Sequence, residues 1–480
     1  MKNRMPTNNI NVIGSGPNGL VAAIELQKAG FEVSIFEAKS TIGGGMRTDE
    51  LTLPGLRHDI CSAIHPTAQI SPVFNSYPLE QYGLEWIFPE VCAAHPFDDG
   101  TAAALFKDIE KTSTTLGEDA EKYISLFTHI SQLVGKMPDD ILAPLKIPNH
   151  SLDFVQFGLN AILPANWFSK RFKTKEAKGL WAGMSAHSML PLNQPATSAI
   201  ALVLMSAGHL KGWPLAKSGS QSIADALAAY FISLGGKIFT NQPISSKKDL
   251  PDASANVFDL TPRQILEIVK EEIGGFHRKT LQNFRYGMGI FKLDWAIDGV
   301  VPFENEFARK AGTVHLGGTF EEIAISEHAA TNGIHAQKPF VLLVQQSQFD
   351  NTRTVDSLNT LYAYCHVPHG STVDMTETIE SQIERFAPGF KSKIVARNKM
   401  NSIEMQAYNS NYIGGDIGGG VIDLQQLYTR PIISFDPYKL SKKGIFICSS
   451  STPPGGGVHG MCGYHAAKSV MKYLKIARNV

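Results

Sequence analysis

A glycine turn near the start of the chain constrains the fold more than any other feature. A short apolar strand, 10–13, precedes the turn Gly14-Ser15-Gly16-Pro17-Asn18-Gly19, and an apolar-periodic run to Gly30 follows it. A second apolar strand then ends at Glu37. The order of strand, glycine turn, helix and strand within about thirty residues is the context in which GxGxxG predicts a dinucleotide-binding unit.

The three glycines and the acid each have a physical role in such a unit. Gly14 permits the tight turn, Gly16 lets the backbone approach a pyrophosphate, and Gly19 lets helix and strand pack closely. The helix N-terminus directs free N–H groups and the positive end of its dipole at the phosphates. Glu37 ends the second strand, where a carboxylate can accept hydrogen bonds from ribose hydroxyls. The alternative interpretation is a glycine-rich turn that binds no ligand.

The residues after Glu37 favour FAD over a nicotinamide dinucleotide. A plain NAD-binding domain usually continues with a further helix and a parallel strand, whereas this chain continues with a second glycine cluster, Gly43-Gly44-Gly45-Met46-Arg47. A ribbon with a Pro54-Gly55 turn comes next. The cluster brings more backbone N–H groups to the pyrophosphate side. Arg47 either adds charge-assisted contacts there or is a surface charge on the ribbon.

Long segments of the chain resemble the phytoene desaturase-like FAD-dependent oxidoreductases, within the larger group that includes amine oxidases. The likeness is carried by VIGSGPNGLVAA, FEAKSTIGGGMRT, LPGLRHDICSAIHP, NYIGGDIGGG and CSSSTPPGGGVHGMCGYHAA, among other segments. Within this group the chain is similar to the branch that contains pyridine nucleotide-disulfide oxidoreductase domain-containing protein 2 and its bacterial relatives. Such a likeness is specific for the family but not for the substrate, because one family hosts many reactions.

The resemblance implies an α/β protein with two interleaved domains. A Rossmann-like FAD-binding domain of the amine oxidase/phytoene desaturase type would be assembled from residues 8–80, 214–285 and 435–480. A substrate-binding domain with helical and sheet parts, of α+β character, would be formed by residues 81–213 and 286–434. Independently, the apolar period of 220–233 between glycines predicts a helix in the second FAD segment.

The segment that follows the last apolar strand, 444–448, bears on the flavin. A serine-rich run and a proline–glycine loop come next, and a helix begins near His459. In the resembled family this helix N-terminus points at the pyrimidine edge of the isoalloxazine, where its dipole stabilises the negative charge of the reduced flavin. Ser449-Ser450 replaces the Gly-Asp pair of many amine oxidase-like flavoproteins, so that a hydroxyl or backbone N–H would replace the carboxylate contact.

The resemblance also implies a set of site residues. The cofactor-binding residues would be Gly14, Gly16, Pro17, Asn18, Gly19, Glu37, Ala38, Gly44, Gly45, Met46, Arg47, Ile244, Ser450, Val458, His459, Gly460 and Met461. His65 and His459 lie in segments expected near the flavin, and each is a candidate for a catalytic base or a hydrogen bond to the flavin. The alternative for each is a structural histidine bonded to loop backbone, and the alternative for Ile244 is a core residue.

Composition argues against several other classes of protein. The 44 Lys and Arg residues balance the 44 Asp and Glu residues, so no bulk field favours nucleic acid. The five cysteines form no CxxC pair and no spacing that indicates a metal site. The N-terminal residues lack the apolar core of a secretory signal, and no apolar stretch is long enough to span a membrane. We therefore expect a cytoplasmic protein, with peripheral membrane contact left open.

Three functions remain as hypotheses. The first is an FAD-dependent oxidoreductase that dehydrogenates, or desaturates, a hydrophobic small-molecule substrate by hydride transfer to flavin N5. The second is an oxidase of amines or amino acids, which would need a carboxylate-clamping Arg and an aromatic cage that the sequence does not show. The third is a non-redox, FAD-stabilised interaction protein. The apolar stretch 141–172 would line a substrate channel, touch a membrane or form core helices.

Overall fold

The computed structural model of the chain describes residues 8–427 and 429–478. Residues 1–7, in which no secretory signal is expected, and the last two residues of the 435–480 segment lie outside the described part. Two large sheets organise the described residues, one with six strands and one with seven. In this part of the chain, no helix is both long enough and apolar enough to cross a membrane.

The strands account for both large sheets and for two short ribbons. In chain order they are β1 (Asn9–Ile13), β2 (Glu32–Phe36), β3 (Thr48–Asp49), β4 (His58–Asp59), β5 (Trp86–Ile87), β6 (Val91–Pro96), β7 (Ala102–Phe106), β8 (Leu215–Ala216), β9 (Lys237–Phe239), β10 (Ala255–Phe258), β11 (Gly289–Asp298), β12 (Ala311–Leu316), β13 (Val341–Val344), β14 (Leu358–Val367), β15 (Ile394–Met400), β16 (Lys439–Ser441) and β17 (Ile445–Ile447).

The α-helices pack on the faces of these sheets or connect them. They are α1 (Pro17–Lys28), α2 (Pro66–Ile70), α3 (Pro72–Asn75), α4 (Ile109–Ser113), α5 (Ala120–Lys136), α6 (Pro138–Ile141), α7 (Ser151–Ala161), α8 (Ala165–Phe168), α9 (Lys175–Ala186), α10 (Thr197–Lys211), α11 (Gln221–Ser233), α12 (Pro262–Val269), α13 (Gly275–Gln282), α14 (Glu306–Lys310), α15 (Phe320–Thr331), α16 (Thr376–Phe386), α17 (Ser402–Tyr408), α18 (Leu424–Leu427) and α19 (Met461–Arg478).

The six-stranded sheet sets the carboxyl ends of its parallel strands level with one another. Its order is β16-β17-β10-β1-β2-β9. Ile13, the last residue of β1, lies opposite Phe36 of β2 and Phe258 of β10, and all three strands run parallel. The residues that follow these strands therefore meet at one edge, which is where ligands bind in open α/β sheets.

Helix α19 contacts α1 more closely than a side chain would allow. A Cβ atom added to Gly463 would lie 2.0 Å from the carbonyl oxygen of Asn18. Helix α1 is buried along most of its length because α19, α11 and the sheet cover it. The last long helix is thereby held against the first, with the N-terminal ends of both near the same sheet edge.

The seven-stranded sheet presents two different faces, as the period of two along each strand requires. Its order is β15-β11-β14-β13-β12-β6-β7. Leu361 and Ala363 of β14 belong to a core cluster that includes Ile379 and Ile383 of α16. The intervening Tyr362 and Tyr364 point to the opposite face, where α10 and the cavity described below are found.

The strands of the two sheets come from different parts of the chain. Every strand of the six-stranded sheet lies within 8–80, 214–285 or 435–480, and every strand of the seven-stranded sheet lies within 81–213 or 286–434. The predicted α/β fold class with a Rossmann-like FAD-binding part is confirmed. On the distribution of the strands we propose the division into an FAD-binding and a substrate-binding domain. The short β5–β8 ribbon joins the two.

Candidate functional site

One cavity of about 900 Å³ extends from the carboxyl edge of the six-stranded sheet to the open face of the seven-stranded sheet. This volume is at the upper end of the range of roughly 300–1,000 Å³ that is usual for ligand pockets. The glycine turn after β1 lines one end of the cavity, and side chains of α10, β13 and β14 line the other. Residues next to the six-stranded sheet and residues of the seven-stranded sheet therefore line the same cavity.

The glycine turn has the shape of a phosphate cradle. Gly14 has a φ of 99°, a backbone conformation that residues with a side chain rarely adopt. Its N–H donates to Phe36 O at 2.9 Å. A Cβ atom on Gly19 would lie 2.3 Å from Gly14 O. Helix α1 begins directly after Gly16, which has no side chain to cap it, and Pro17 lies in the first turn, where Gly19 N donates to Asp259 Oδ2. That helix end is suited to an anion.

Glu37 is a buried carboxylate at the cavity wall, and each of its two oxygens accepts two hydrogen bonds from nearby groups. Its Oε2 accepts from Ser15 N at 3.1 Å and from Ser15 Oγ at 2.5 Å. Its Oε1 accepts from Lys39 N at 2.9 Å and from Arg47 Nη2 at 3.1 Å. Arg47 is itself buried and also donates to Thr41 O. Arg47 is thus an internal ion-pair partner of Glu37 rather than a surface charge on the ribbon.

The second glycine cluster touches the first. Gly43 and Gly44 have φ values of 111° and 57°, and Gly43 N donates to Ser15 O at 3.0 Å. A Cβ atom on Gly44 would lie 3.0 Å from the Cα atom of Gly16, and one on Gly45 would lie 2.3 Å from Tyr412 Oη. The two clusters together form a wall of bare backbone on this side of the cavity.

Asp259 is a residue of the same wall that the sequence analysis missed. It directly follows β10, and its Oδ2 accepts from Gly19 N at 3.0 Å. Burial raises its pKa to about 7, and the nearby Glu37 adds to the rise, while the N–H groups of Gly19 and Gly16 oppose it. The signal available in the sequence was an acid at the carboxyl end of a third apolar strand.

The loop after β17 forms the wall where the flavin is expected. Ser449, Ser450 and Ser451 line the cavity, and so do residues 456–458. His459 is buried behind them, and its Nδ1 accepts from Met461 N at 3.0 Å. Burial lowers the pKa of His459 to about 4, which keeps the ring neutral and able to accept this bond. His459 therefore caps the start of α19.

His65 points away from the cavity although its neighbours line it. Its Nε2 lies 2.9 Å from Ser220 Oγ, and its ring packs against Trp86. Ser220 N in turn donates to Asp59 Oδ1 at 2.7 Å. Burial lowers the pKa of His65 to about 4. The catalytic roles of His65 and His459 stay predictions, and neither side chain is among those that line the cavity.

Most of the predicted cofactor-binding residues lie together on the cavity wall. Those that line it are Gly14, Gly16, Pro17, Asn18, Glu37, Ala38, Gly44, Gly45, Met46, Arg47, Ile244, Ser450 and Val458. Those that lie outside the lining are Gly19, His459, Gly460 and Met461. The bare glycine backbone, the N-terminus of α1 and the buried acid at the strand end fit an adenine dinucleotide. Their individual roles stay predictions.

The far end of the cavity, here called the distal chamber, is mostly apolar and aromatic. It is lined by His187, Met189, Ile200, Leu204, Trp213, Thr313, Leu342, Val344, Tyr362 and Tyr364. His187 Nε2 lies 3.0 Å from Nε2 of the buried His315. Burial lowers the pKa of His187 to about 3. No local pattern in the sequence indicates this histidine pair, because its members come from segments far apart in the chain.

Comparison with known proteins agrees with a dinucleotide-binding unit at the start of the chain. Residues 12–77 match the family model of the NAD(P)-binding Rossmann-like domain. Pyridine nucleotide-disulfide oxidoreductase domain-containing protein 2 of Mus musculus is 24% identical, with 97% of this chain and 93% of that protein covered. The 4,4'-diapolycopen-4-al dehydrogenase of Metabacillus indicus is 23% identical, with 94% of each covered.

The chain is an FAD-dependent oxidoreductase. Its resemblance to the phytoene desaturase-like group and the FAD cofactor expected from the sequence are both confirmed. Among solved structures, cyclohexylamine oxidase from Brevibacterium oxydans shares the fold with a TM-score of 0.59 at 14% identity, over 98% of this chain and all of that one. Among the described residues of this oxidoreductase, no group of three or more His, Cys, Asp or Glu is arranged to hold a metal ion.

Gly16→Val tests the position of the dinucleotide. The new Cβ would lie 2.5 Å from Asp259 Oδ2, so the turn must shift. Overpacking of this kind costs about 1–3 kcal/mol, and we expect FAD to bind about 10- to 100-fold more weakly in fluorescence titrations. Gly158→Val in α7 is the matched control, because nothing lies within 4 Å of its added Cβ. Equal FAD affinity in the two variants would contradict the assignment.

FAD affinity should depend on pH through Asp259. The carboxyl is protonated below its pKa of about 7 and negative above it. A pyrophosphate beside it favours the neutral form, so binding becomes weaker as pH rises. We expect the FAD dissociation constant to rise by up to about tenfold between pH 6 and pH 8. Asp259→Asn should flatten this profile, whereas the surface variant Asp98→Asn should retain it; an unchanged slope in Asp259→Asn would count against the assignment.

Proposed function

We propose that this oxidoreductase dehydrogenates, or desaturates, a hydrophobic small molecule that lies in the distal chamber. The continuity of the dinucleotide end of the cavity with this chamber is the observation that carries the proposal. Bound FAD would supply the redox chemistry, as the acceptor of a hydride from a substrate C–H bond. The glycine turn, Glu37 and the Ser450 loop are the parts of the chain that would hold it.

The side chains of the distal chamber favour an apolar substrate. Leu342 and Val344 of β13 form its floor, and Ile200 and Leu204 of α10 cover it. No Lys or Arg is among the residues that define the chamber, so a substrate carboxylate would be buried there without a partner, which is costly. These surfaces exclude water and orient a hydrocarbon skeleton, and they disfavour amino acids as substrates.

His187 is the side chain of the chamber best suited to accept a hydrogen bond from a substrate. Because its pKa is about 3, it is neutral at physiological pH, and one of its two ring nitrogens is an acceptor. Burial raises the pKa of the Tyr362 and Tyr364 phenols, so both stay protonated and can only poorly accept a proton. The bond between His187 Nε2 and His315 Nε2 fixes the orientation of the ring. We propose that His187 accepts a hydrogen bond from the substrate.

Oxidation of a hydrophobic amine is the second candidate. Tyr362 and Tyr364 have ring centroids 6.2 Å apart, and Tyr412 also lines the cavity, so aromatic side chains do surround part of it. Aromatic faces attract cationic or amine groups. The shared fold with an amine oxidase is compatible with this candidate but does not favour a substrate.

Anaerobic reduction of the bound flavin separates these candidates. We expect the yellow protein to be bleached by hydrophobic, unsaturated hydrocarbons or alcohols, and His187→Ala to slow that bleaching by about 10- to 100-fold without loss of FAD. Tyr408→Phe, which removes a hydroxyl near Gly44, is the control for general perturbation of the cavity. Bleaching by amines alone would favour the second candidate. A flavin that no candidate reduces would favour a non-redox interaction protein.

The stretch 141–172 carries several exposed apolar side chains, which supports a route by which a hydrophobic substrate reaches the cavity. Leu145, Ile147, Leu152, Leu159 and Trp167 are between 62% and 89% exposed. The opposite face of α7 is buried and packs against α10, which carries part of the chamber wall. Lys146 and Lys170 of the same stretch are also exposed, and Lys146 forms an ion pair with Asp140. We propose that this surface makes the peripheral contact with an anionic membrane, from which the substrate enters.

Flotation with vesicles tests this surface. We expect the protein to float with vesicles that contain anionic phospholipid, because apolar insertion and basic residues act together at such surfaces. The double variant Leu152→Ser/Leu159→Ser should lose most of that binding. Ile334→Ser, which removes an exposed apolar side chain elsewhere, should not. Equal flotation of the three proteins would refute the proposed contact.

A further inference from the structure

Arg430 is a buried cation for which the described residues provide no carboxylate within salt-bridge distance. Its side chain is 1% exposed. Its Nη2 donates to the carbonyl oxygens of Ser450 at 2.5 Å and Gly419 at 3.2 Å, and its Nε donates to Ser451 O at 3.3 Å. Its buried Nη1 has no hydrogen-bond partner in the described part of the chain. The guanidinium is thus fixed by backbone carbonyls and its charge is left uncompensated at close range.

Two other buried cations of this chain are paired directly. Arg353 contacts Asp59 at 2.6 Å and Asp350 at 2.9 Å, and all three side chains are almost fully buried. Lys292 forms an ion pair with Asp294 at 2.5 Å. Burial of a charge without a partner is strongly unfavourable. Arg430 therefore differs from its counterparts in a way that calls for an anion that the described residues do not supply.

The titratable groups nearest to Arg430 do not supply that anion at contact distance. Asp416 interacts with it electrostatically, but its two oxygens accept from the N–H groups of Gly287, Gly418 and Gly420 at 2.6–3.0 Å. Burial raises the pKa of Asp416, which disfavours its negative form. The thiol of Cys462, on α19, has its pKa raised to about 11 by burial and is neutral.

The carbonyls that hold Arg430 belong to the cavity wall. Gly419, Ser450 and Ser451 all line the cavity, so the guanidinium lies one layer of backbone behind its surface. The same loop leads into α19, whose N-terminus carries a positive dipole end. Two sources of positive potential therefore act on one part of the wall.

We propose that Arg430 is the fixed cation that stabilises the negative charge gained by FAD on two-electron reduction. Its charge acts through space from behind the part of the cavity wall that Ser450 and Ser451 form. Its hydrogen bonds to their carbonyl oxygens hold that part in place, and it does not contact the reacting atoms. The hydride that carries both electrons comes from the substrate, and the single negative charge it adds to the cofactor is what the guanidinium would offset. The proposal rests on FAD binding and is independent of the substrate's identity.

Removal of the charge should lower the reduction potential of the bound flavin. For Arg430→Met we expect at least a tenfold smaller equilibrium constant for reduction, or about 30 mV for a two-electron couple, in titrations against a reference dye. Arg430→Lys should retain most of the wild-type potential because it keeps the charge. Arg285→Met is the matched control, since this half-exposed arginine is paired with Asp423 and screened by solvent.

A purely structural role would give a different pattern. It would lower the melting temperature of Arg430→Met and Arg430→Lys alike while both retained the wild-type potential, and that result would overturn the proposal. If neither variant holds FAD, the wild-type protein decides: its bound flavin should have a higher midpoint potential than free FAD in the same buffer, and an equal or lower value would overturn the proposal. No substrate is needed, so failure here is distinct from failure of the proposed dehydrogenation.

Discussion

The close approach of the two glycine clusters and the Asp259 carboxyl at the edge of the six-stranded sheet is the constraint on which the rest of the structure depends. Gly16, Gly44 and Asp259 come from three segments, and a Cβ atom on either glycine would meet one of the other two at 3.0 Å or less. The level ends of β1, β2 and β10 bring these segments together. Glu37 and Arg47 then neutralise each other inside the wall. The dinucleotide end of the cavity follows from this arrangement.

The local parts of this arrangement could be predicted from sequence because their signals are local. The strand, turn, helix and acid of residues 9–37 are contiguous, and their apolar periods and glycines specify them together. The helix predicted over 220–233 is found at Gln221–Ser233. The strand predicted at 444–448 is found at Ile445–Ile447, and the helix predicted near His459 begins at Met461. In each case a glycine or polar loop marks the boundary.

Side-chain direction and long-range pairing were beyond what one sequence can provide. His65 and His459 lie in the expected segments, yet their rings turn to Ser220 and to the backbone of Met461 instead of to the cavity. The proposed roles of Asp259, His187 and Arg430 depend on groups in remote segments of the chain, which no local sequence pattern reveals. A motif fixes the course of the backbone, whereas the direction of a loop side chain depends on which distant group satisfies its hydrogen bonds.

The order of the strands also bears on how the protein is made. β10 lies between β1 and β17, and the Ser449–Ser451 wall of the cavity follows β17. Ribosomes add about 5–20 residues per second, so the glycine turn emerges long before the strand and loop that complete its pocket. During that interval one edge of β10 has no partner and the nascent chain presents an open sheet. The cavity wall is therefore complete only after the chain has been translated through Val458.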